Sequence, residues 1–135
     1  MTLESSIGIS ASGLRAQSLR MRVIAENLAN ANSVSETPGG DPYRRKVPIF
    51  RATVDRINGG STVEVTGISA DRSNLPRVYQ PGNPGADAAG YVKLPNVNSL
   101  VESADMKAAQ RSYEANLNAI EAARSLTMRT IDLLK

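Results

Sequence analysis

The sequence predicts an α+β fold, in which long N- and C-terminal helices pack as a coiled-coil-like hairpin and flank a small β-rich middle insert. All seven prolines of the 135 residues lie between Pro38 and Pro95, and none of the ten glycines follows Gly90. Because Pro and Gly interrupt helices, the two ends are free to form helices and the middle is not. We therefore divide the chain into an N-terminal helix (1–32), a β-rich middle domain with loops (33–95) and a C-terminal helix (96–135).

The N-terminal segment carries a heptad pattern over nearly four heptads. Its side chains recur in alternating steps of four and three, which predicts a helix with one packing seam. Thr2 or one of Ser5 and Ser6 is expected to cap its start, and the Asn-rich stretch 27–32 is expected to end it. The predicted seam consists of Leu3, Ile7, Ser10, Leu14, Gln17, Met21, Ile24 and Leu28.

The middle segment has the pattern of short strands. Alternating side chains at 47–54 and 62–66 predict two strands, and Asn58, Gly59 and Gly60 between them offer the positive φ angles of a hairpin turn. Pro48 restricts the first strand to a sheet edge or a bulge. Two shorter strands are predicted at 75–80 and 91–94, on either side of a turn rich in Pro and Gly.

The C-terminal segment repeats the spacing of the first. It is rich in Ala, which favours helix, and we expect the helix to start near Asn98 or Ser99. Ser99 followed by Glu102 has the form of a capping box. The predicted seam consists of Tyr113, Leu117, Ile120, Arg124, Thr127, Ile131 and Leu134.

The composition excludes most catalytic and metal chemistry. The chain has no His and no Cys, so it cannot form a His-based triad, a thiol nucleophile, a Cys/His zinc site or a disulfide. Gly85 and Gly90 have the spacing of a phosphate-binding loop, but Tyr91 and Val92 stand where Lys and Ser/Thr would be required. The carboxylates match neither an EF-hand loop nor a glycosidase pair. We predict no catalytic residue, no cofactor and no metal ion.

The charge distribution gives weak signals about partners. The net charge of +3 is small, and no nucleic-acid-binding motif accompanies it, so we predict no nucleic-acid partner. The basic run Arg44, Arg45 and Lys46 is usually a solvated strand face. Its functional alternative is an ion-pair contact with an acidic patch on an adjacent subunit.

Export and membrane signals are not visible in the sequence. No apolar run approaches the ~18 residues that span a bilayer. Glu4 stands where a Sec signal would carry its basic region. We therefore predict no membrane insertion and no cleaved signal peptide.

The two helical ends are thin for a self-contained interior. Five aromatic residues serve the whole chain, and both seams include polar side chains. One helix pair therefore buries too little apolar surface to offset the entropy of ordering two long tails. We expect the ends to become ordered only against several neighbouring chains.

Several strings of the sequence carry a resemblance that extends over essentially the full length. In this order along the chain, they resemble the axial proteins of the bacterial flagellum, and within that family the short proximal-rod members. The Asn-rich string and the SYEAN string are shared by rod and hook proteins generally, whereas the string at 90–98 is more specific. The strings are 10–17 (SASGLRAQ), 27–30 (NLAN), 41–46 (DPYRRK), 81–84 (PGNP), 90–98 (GYVKLPNVN) and 112–116 (SYEAN).

The resemblance implies a structural subunit of the proximal rod. Such a subunit polymerises with other copies of itself and with other rod proteins into the drive shaft that carries motor torque across the periplasm. The implied partners are the proximal-rod proteins FlgB and FlgF, the distal-rod protein FlgG, the basal-body adaptor FliE and the flagellar type III export apparatus. Segments 1–32 and 96–135 would form the tube-forming domain. A cytosolic coiled-coil adaptor, which would be a stable helical dimer, is the alternative.

The candidate site is therefore an assembly interface on the two helices. It combines apolar seam positions with a polar set formed by Asn27, Asn30, Tyr113 and Asn116. The full set is Leu3, Ile7, Leu14, Gln17, Met21, Ile24, Asn27, Leu28, Asn30, Tyr113, Asn116, Leu117, Ile120, Ile131 and Leu134.

Overall fold

The structure is a computed structural model that describes residues 1–135. Two long helices stand at the ends of the chain, and four strands lie between them in two two-stranded sheets, β1 with β2 and β3 with β4. The α+β class is thereby confirmed. The elements are α1 (Leu3–Ala29), β1 (Lys46–Val54), β2 (Ser61–Ala70), β3 (Arg77–Tyr79), β4 (Tyr91–Lys93) and α2 (Ser99–Leu133).

The chain forms two compact units, and each helix contributes to both. Neither helix is long and apolar enough to cross a membrane. Unit 1 comprises Met1–Met21, Pro48–Gly67 and Lys107–Lys135, and unit 2 comprises Arg22–Val47 and Ile68–Met106.

Helix α1 begins with a reciprocal cap. The backbone N–H of Ser5 donates to Thr2 Oγ1 at 3.1 Å, and the backbone N–H of Thr2 donates to Ser5 Oγ at 2.9 Å. Two groups that a helix start leaves without partners are thus satisfied. The cap is Thr2, one of the three predicted positions. The helix ends at Ala29, within the predicted Asn-rich stretch.

Helix α2 begins as predicted, but the predicted capping box is wrong. Asn98 Oδ1 accepts the backbone N–H groups of Leu100 and Val101 at 3.1 and 3.3 Å, so Asn98 is the cap. The Glu102 carboxylate does not turn back to the helix start. It accepts a hydrogen bond from the Arg45 guanidinium, and a charge-assisted bond of this kind is stronger than one to a neutral amide.

The hairpin between β1 and β2 has the predicted turn. Gly59 and Gly60 have φ angles of 76° and 90°, a region that side chains with a Cβ disfavour. The backbone N–H of Asp55 donates to the carbonyl of Gly60 at 3.0 Å and closes the turn. Strand β1 has β2 as its single neighbour, so Pro48 lies on an edge strand as expected.

Unit 1 has an interior of small side chains. Its buried positions are Ser12, Gly13, Ala16, Ala109 and Ala123. Ser12 Oγ accepts the backbone N–H of Val63 at 3.1 Å, which fixes strand β2 to helix α1. Small residues permit close approach of backbones, but each buries little apolar area.

Unit 2 has larger buried side chains, and two of its four largest fully buried ones are polar. The four largest fully buried side chains of the chain are Glu102, Val23, Val92 and Asn27, and all belong to this unit. Strand β4 pairs antiparallel with β3, with Val78 opposite Val92. Unit 2 therefore combines a small apolar centre with buried hydrogen-bonding groups.

Candidate assembly interface

The seam positions of α1 differ widely in burial. Ile24 is buried, whereas Ile7, Leu14 and Met21 are half-buried and Leu3 is exposed. Besides Ile24, α1 buries four side chains that lie on a neighbouring face, and three of these four are small or polar. They are Ser12, Ala16, Val23 and Asn27. Apart from Val23 and Ile24, the larger apolar side chains of α1 thus keep exposed area.

In unit 1 the two helices approach closely at one predicted polar position. A Cβ added to Gly13 would lie 2.6 Å from Asn116 Oδ1 and 2.7 Å from its Nδ2. Asn116 Nδ2 also donates to the carbonyl of Ser112 at 2.8 Å, so its amide is held where it covers Gly13. A side chain at position 13 would have to displace it.

The predicted seam of α2 is half-covered at its start and exposed at its end. Tyr113 and Ile120 are half-buried, whereas Leu117 is exposed. Every residue from Met128 onward is exposed. Ile131 keeps 45% and Leu134 keeps 82% of its surface. The last turns of α2 therefore present apolar side chains that this chain covers only in part.

Asn27 is the centre of a hydrogen-bond network in unit 2. Its Oδ1 accepts the backbone N–H of Lys46 at 2.9 Å and the Tyr43 hydroxyl at 2.7 Å. Its Nδ2 donates to the Lys46 carbonyl at 2.9 Å and to Glu102 Oε2 at 3.4 Å. The buried amide thus uses both of its polar atoms, as a group removed from water must. It joins α1 to the segment that enters β1.

Glu102 joins α2 to the same network. The side chain is completely buried, and it pairs with Arg45 Nε. Two further carboxylates lie within salt-bridge distance of this guanidinium, Asp71 at 3.5 Å and Asp105 at 3.7 Å. The hydrogen bond to Glu102 raises the pKa of Arg45, so the guanidinium stays charged. A buried carboxylate that lost this partner would be strongly unfavourable.

The predicted basic run is mostly engaged within the chain. Arg45 pairs with Glu102, and Lys46 pairs with Glu26, which raises the pKa of Lys46. Arg44 Nη1 donates to two backbone carbonyls at 3.2 Å. Arg44 is thus the one side chain of the basic run that forms no ion pair with a carboxylate of unit 2.

The other predicted polar residues have local roles or different surroundings. Asn30 Nδ2 donates to the Glu26 carbonyl at 2.9 Å, so this side chain satisfies the end of α1. The tyrosine hydroxyl that donates to an asparagine is that of Tyr43, which is not a member of the predicted polar set. Burial and the nearby Glu26 raise the pKa of Tyr43.

Sequence reasoning missed the functions of Tyr43 and Glu102. Both residues make contacts with partners 16 or more positions away, which no local pattern predicts. The one available signal was the string at 41–46, which contributes Tyr43, Arg45 and the backbone of Lys46 to the network. No group of three or more acidic side chains is placed to hold a metal ion.

Two family models of known proteins match this chain, one in each helical segment. The family model described as flagella basal body rod protein matches residues 7–35. The model described as flagellar basal body rod FlgEFG protein C-terminal matches residues 88–133. These two matches contain Asn27 and Glu102, the two side chains at the centre of the unit 2 network.

Full-length relatives decide the family. The flagellar basal-body rod protein FlgC of Agrobacterium fabrum is 50% identical over 133 residues, which cover 98% of this chain and 96% of the relative. The FlgC proteins of Salmonella typhimurium and Escherichia coli are 44% and 42% identical over 135 residues, with 98% of each chain covered. The chain belongs to the FlgC family of flagellar basal-body rod proteins. It is a structural subunit of the rod and not an enzyme, and the alternative of a cytosolic adaptor is not supported.

Proposed function

We propose that this subunit polymerises through its two terminal helices into the proximal rod. The observation that carries the proposal is the uncovered apolar end of α2, where Ile131 and Leu134 continue the seam beyond the last half-buried position, Thr127. Burying exposed apolar area stabilises an assembly by about 25 cal/mol per Å². An apolar face that is repeated in every copy suits a helical polymer, in which each subunit meets its neighbours through the same surfaces.

The proposed contact is a coiled-coil-like packing of α1 and α2 against helices of neighbouring subunits. The half-buried seam residues Ile7, Leu14 and Met21 support it, because each keeps apolar area that a second helix can cover. Close helix contacts over many subunits would make the shaft stiff, and motor torque would then pass through interlocked surfaces. The small residues of unit 1 support close approach of helices.

The remaining parts of the proposal concern partners and route. We propose that the chain contacts other copies of itself, FlgB and FlgF of the proximal rod, FlgG of the distal rod and the adaptor FliE. It would pass through the flagellar type III export apparatus without a cleaved signal peptide and lie in the rod where this crosses the periplasm. The family membership and the sequence resemblance support these assignments.

The test changes the exposed end of α2. In cells that lack the native protein, Ile131→Asp is expected to abolish rod assembly, because a carboxylate at a buried helix contact cannot be desolvated without a partner. Thr130→Asp is the matched control, since it places the same carboxylate at the neighbouring exposed position. The measurement is the yield of purified basal bodies, with export checked by the amount of subunit secreted. Normal rods with Ile131→Asp would contradict the proposal.

A further inference from the structure

One face of the β3–β4 ribbon carries two tyrosines and two cations. The register places Arg77 opposite Lys93 and Tyr79 opposite Tyr91. Side chains alternate between the two faces of a strand, so these four share one face and Val78 and Val92 share the other. Val92 is buried. We call the face with Arg77, Tyr79, Tyr91 and Lys93 the tyrosine face. It is opposite the valine face, which packs into the interior of unit 2.

The tyrosines are exposed and yet held in place. Tyr79 keeps 62% and Tyr91 keeps 43% of its surface. Their ring centroids are 5.3 Å apart, with an angle of 61° between the planes. Such edge-to-face pairs are favourable. An exposed pair in a fixed geometry loses little entropy when a partner binds.

Gly90 provides the space for this pair. Its φ is 87°, and a Cβ there would lie 2.7 Å from Cε2 of Tyr79. The Tyr79 ring thus lies directly against the backbone of the loop that precedes β4. Both the backbone conformation and the ring position require glycine at this position.

A basic cleft of about 450 Å³ adjoins the tyrosine face. It is lined by four cations, Arg44, Arg72, Arg77 and Lys93. We call it the cationic cleft.

Carboxylates balance two of the four cations. Lys93 pairs with Asp41 at 3.2 Å, and Arg77 pairs with Asp87 at 3.3 Å. The backbone carbonyls of residues 71 and 73 orient the guanidinium of Arg44 without neutralising it. Arg72 is exposed. The cleft therefore has surplus positive charge at Arg44 and Arg72.

We propose that the tyrosine face and the cationic cleft form a docking site for an acidic segment of a neighbouring protein in the assembled basal body. Tyr and Arg are, together with Trp, the side chains most enriched at the energetic centres of protein interfaces. The surplus charge selects an acidic partner. Asp41 and Asp87, which stand among the cations, would repel a uniformly anionic polymer, whereas a protein surface can present acidic and basic groups alternately. This proposal rests on assembly into the rod, which brings the neighbour into place.

The test is site-specific photocrosslinking in cells. The photoreactive residue p-benzoylphenylalanine replaces Tyr79 and keeps an aromatic ring there, while a second strain carries it in place of Leu134. Basal bodies are purified after irradiation, and crosslinked peptides are identified by mass spectrometry. The Leu134 crosslink reports the helix contact of the proposed function, so the two proposals succeed or fail separately.

The expected product at position 79 is a peptide of a basal-body protein with at least two Asp or Glu residues near the crosslink. Charge reversal by Arg72→Glu should reduce this product about tenfold, while Arg72→Lys retains it. Arg56→Glu is the matched control because it reverses an exposed arginine in unit 1, and it should leave the product unchanged.

Three results would overturn the proposal. The first is a crosslink to a segment without acidic residues. The second is a product whose added mass is removed by a glycan hydrolase, which would identify a polymer as the occupant. The third is no product at position 79 in basal bodies that give the Leu134 product.

Discussion

Units 1 and 2 are held together in different ways. Unit 2 buries a complete carboxylate, Glu102, and a complete amide, Asn27, and gives each of them hydrogen-bond partners. Unit 1 buries alanines, a glycine and a serine, and leaves the apolar end of α2 exposed. Each long helix therefore contacts a buried polar network in the part that belongs to unit 2, and small side chains in the part that belongs to unit 1.

The difference indicates which part can fold alone. A buried ion pair with satisfied hydrogen bonds specifies one arrangement, because breaking it leaves an uncompensated charge. Small apolar contacts specify less and depend on further surfaces for stability. We expect the free subunit to hold unit 2 more firmly than unit 1, and the following changes test that expectation.

The largest effect is expected from Glu102→Ala. The change takes from the Arg45 guanidinium its nearest carboxylate, so that only Asp71 and Asp105 remain, and takes from Asn27 Nδ2 one of its two acceptors. Because a buried ion pair is broken, the cost should be about 3 kcal/mol. Amide hydrogen exchange of the free subunit should accelerate at Arg22–Val47 and Ile68–Met106 much more than in unit 1. Glu121→Ala, at an exposed position of the same helix, should change stability by less than about 0.5 kcal/mol. Equal acceleration in both units would contradict the contrast.

Alanine substitutions at two glycines of α1 should change stability by intermediate amounts and in opposite directions. Gly13→Ala places a methyl group against Asn116 and should destabilise unit 1 by about 1 to 3 kcal/mol, partly offset by the better helix propensity of Ala. Gly8 has no atom within 4 Å of an added Cβ, so Gly8→Ala should stabilise the helix by about 1 kcal/mol. Thermal unfolding followed by circular dichroism measures both. A Gly13→Ala chain as stable as Gly8→Ala would show that the contact with Asn116 is unimportant.

A smaller effect is expected from Tyr43→Phe in unit 2. Removal of the hydroxyl takes one donor from Asn27 Oδ1, which still accepts the backbone N–H of Lys46. The loss should be about 1 kcal/mol in the free energy of unfolding by urea. Tyr79→Phe, at an exposed ring, is the control and should have no measurable effect. An equal loss for the two variants would show that the Tyr43 hydroxyl does not stabilise the network.

The smallest expected effect is a loss of folding stability at acidic pH, and both units should show it. Hydrogen bonds from Ser73 lower the pKa of Asp71, and those from the backbone of Tyr91 and Ala89 lower the pKa of Asp87. In unit 1 the backbone N–H and side chain of Asn58 lower the pKa of Asp55.

The sign follows from proton binding. The unfolded chain binds protons at these carboxyls near pH 4, before the folded chain does, so their contribution to stability is present above that pH and is lost as the pH falls through the folded-state pKa. Titration by NMR should give folded-state pKa values below those of the unfolded chain. Values at or above the unfolded ones would contradict the assigned hydrogen bonds.

The sequence predicted the helices well because their signals are local. Segregation of Pro and Gly into the middle marked both helical ends, and short polar motifs marked where α1 ends and α2 begins. The turn at Gly59 and Gly60 was likewise predictable, since their conformational freedom is a property of single residues.

The centre of unit 2 was not predictable in the same way. Glu102 satisfied a local pattern, the capping box, but Arg45 lies 57 positions earlier and offers a charge-assisted bond that the helix start cannot match. Asn27 was selected from its motif, yet its partners Tyr43 and Lys46 follow from tertiary packing alone. The assembly role of the apolar seam remains a prediction, because burial within one chain does not test contacts between chains.

The exposed turn of the β1–β2 hairpin has a consequence for the chemical ageing of the purified protein. Asn58 precedes Gly59, and an Asn-Gly sequence lets the following backbone nitrogen attack the side-chain amide with little steric hindrance. Deamidation would replace the Nδ2 donor that contacts Asp55 at 3.0 Å with a second carboxylate. Stored samples should therefore accumulate a more acidic form at the hairpin turn, while the buried Asn27 stays intact.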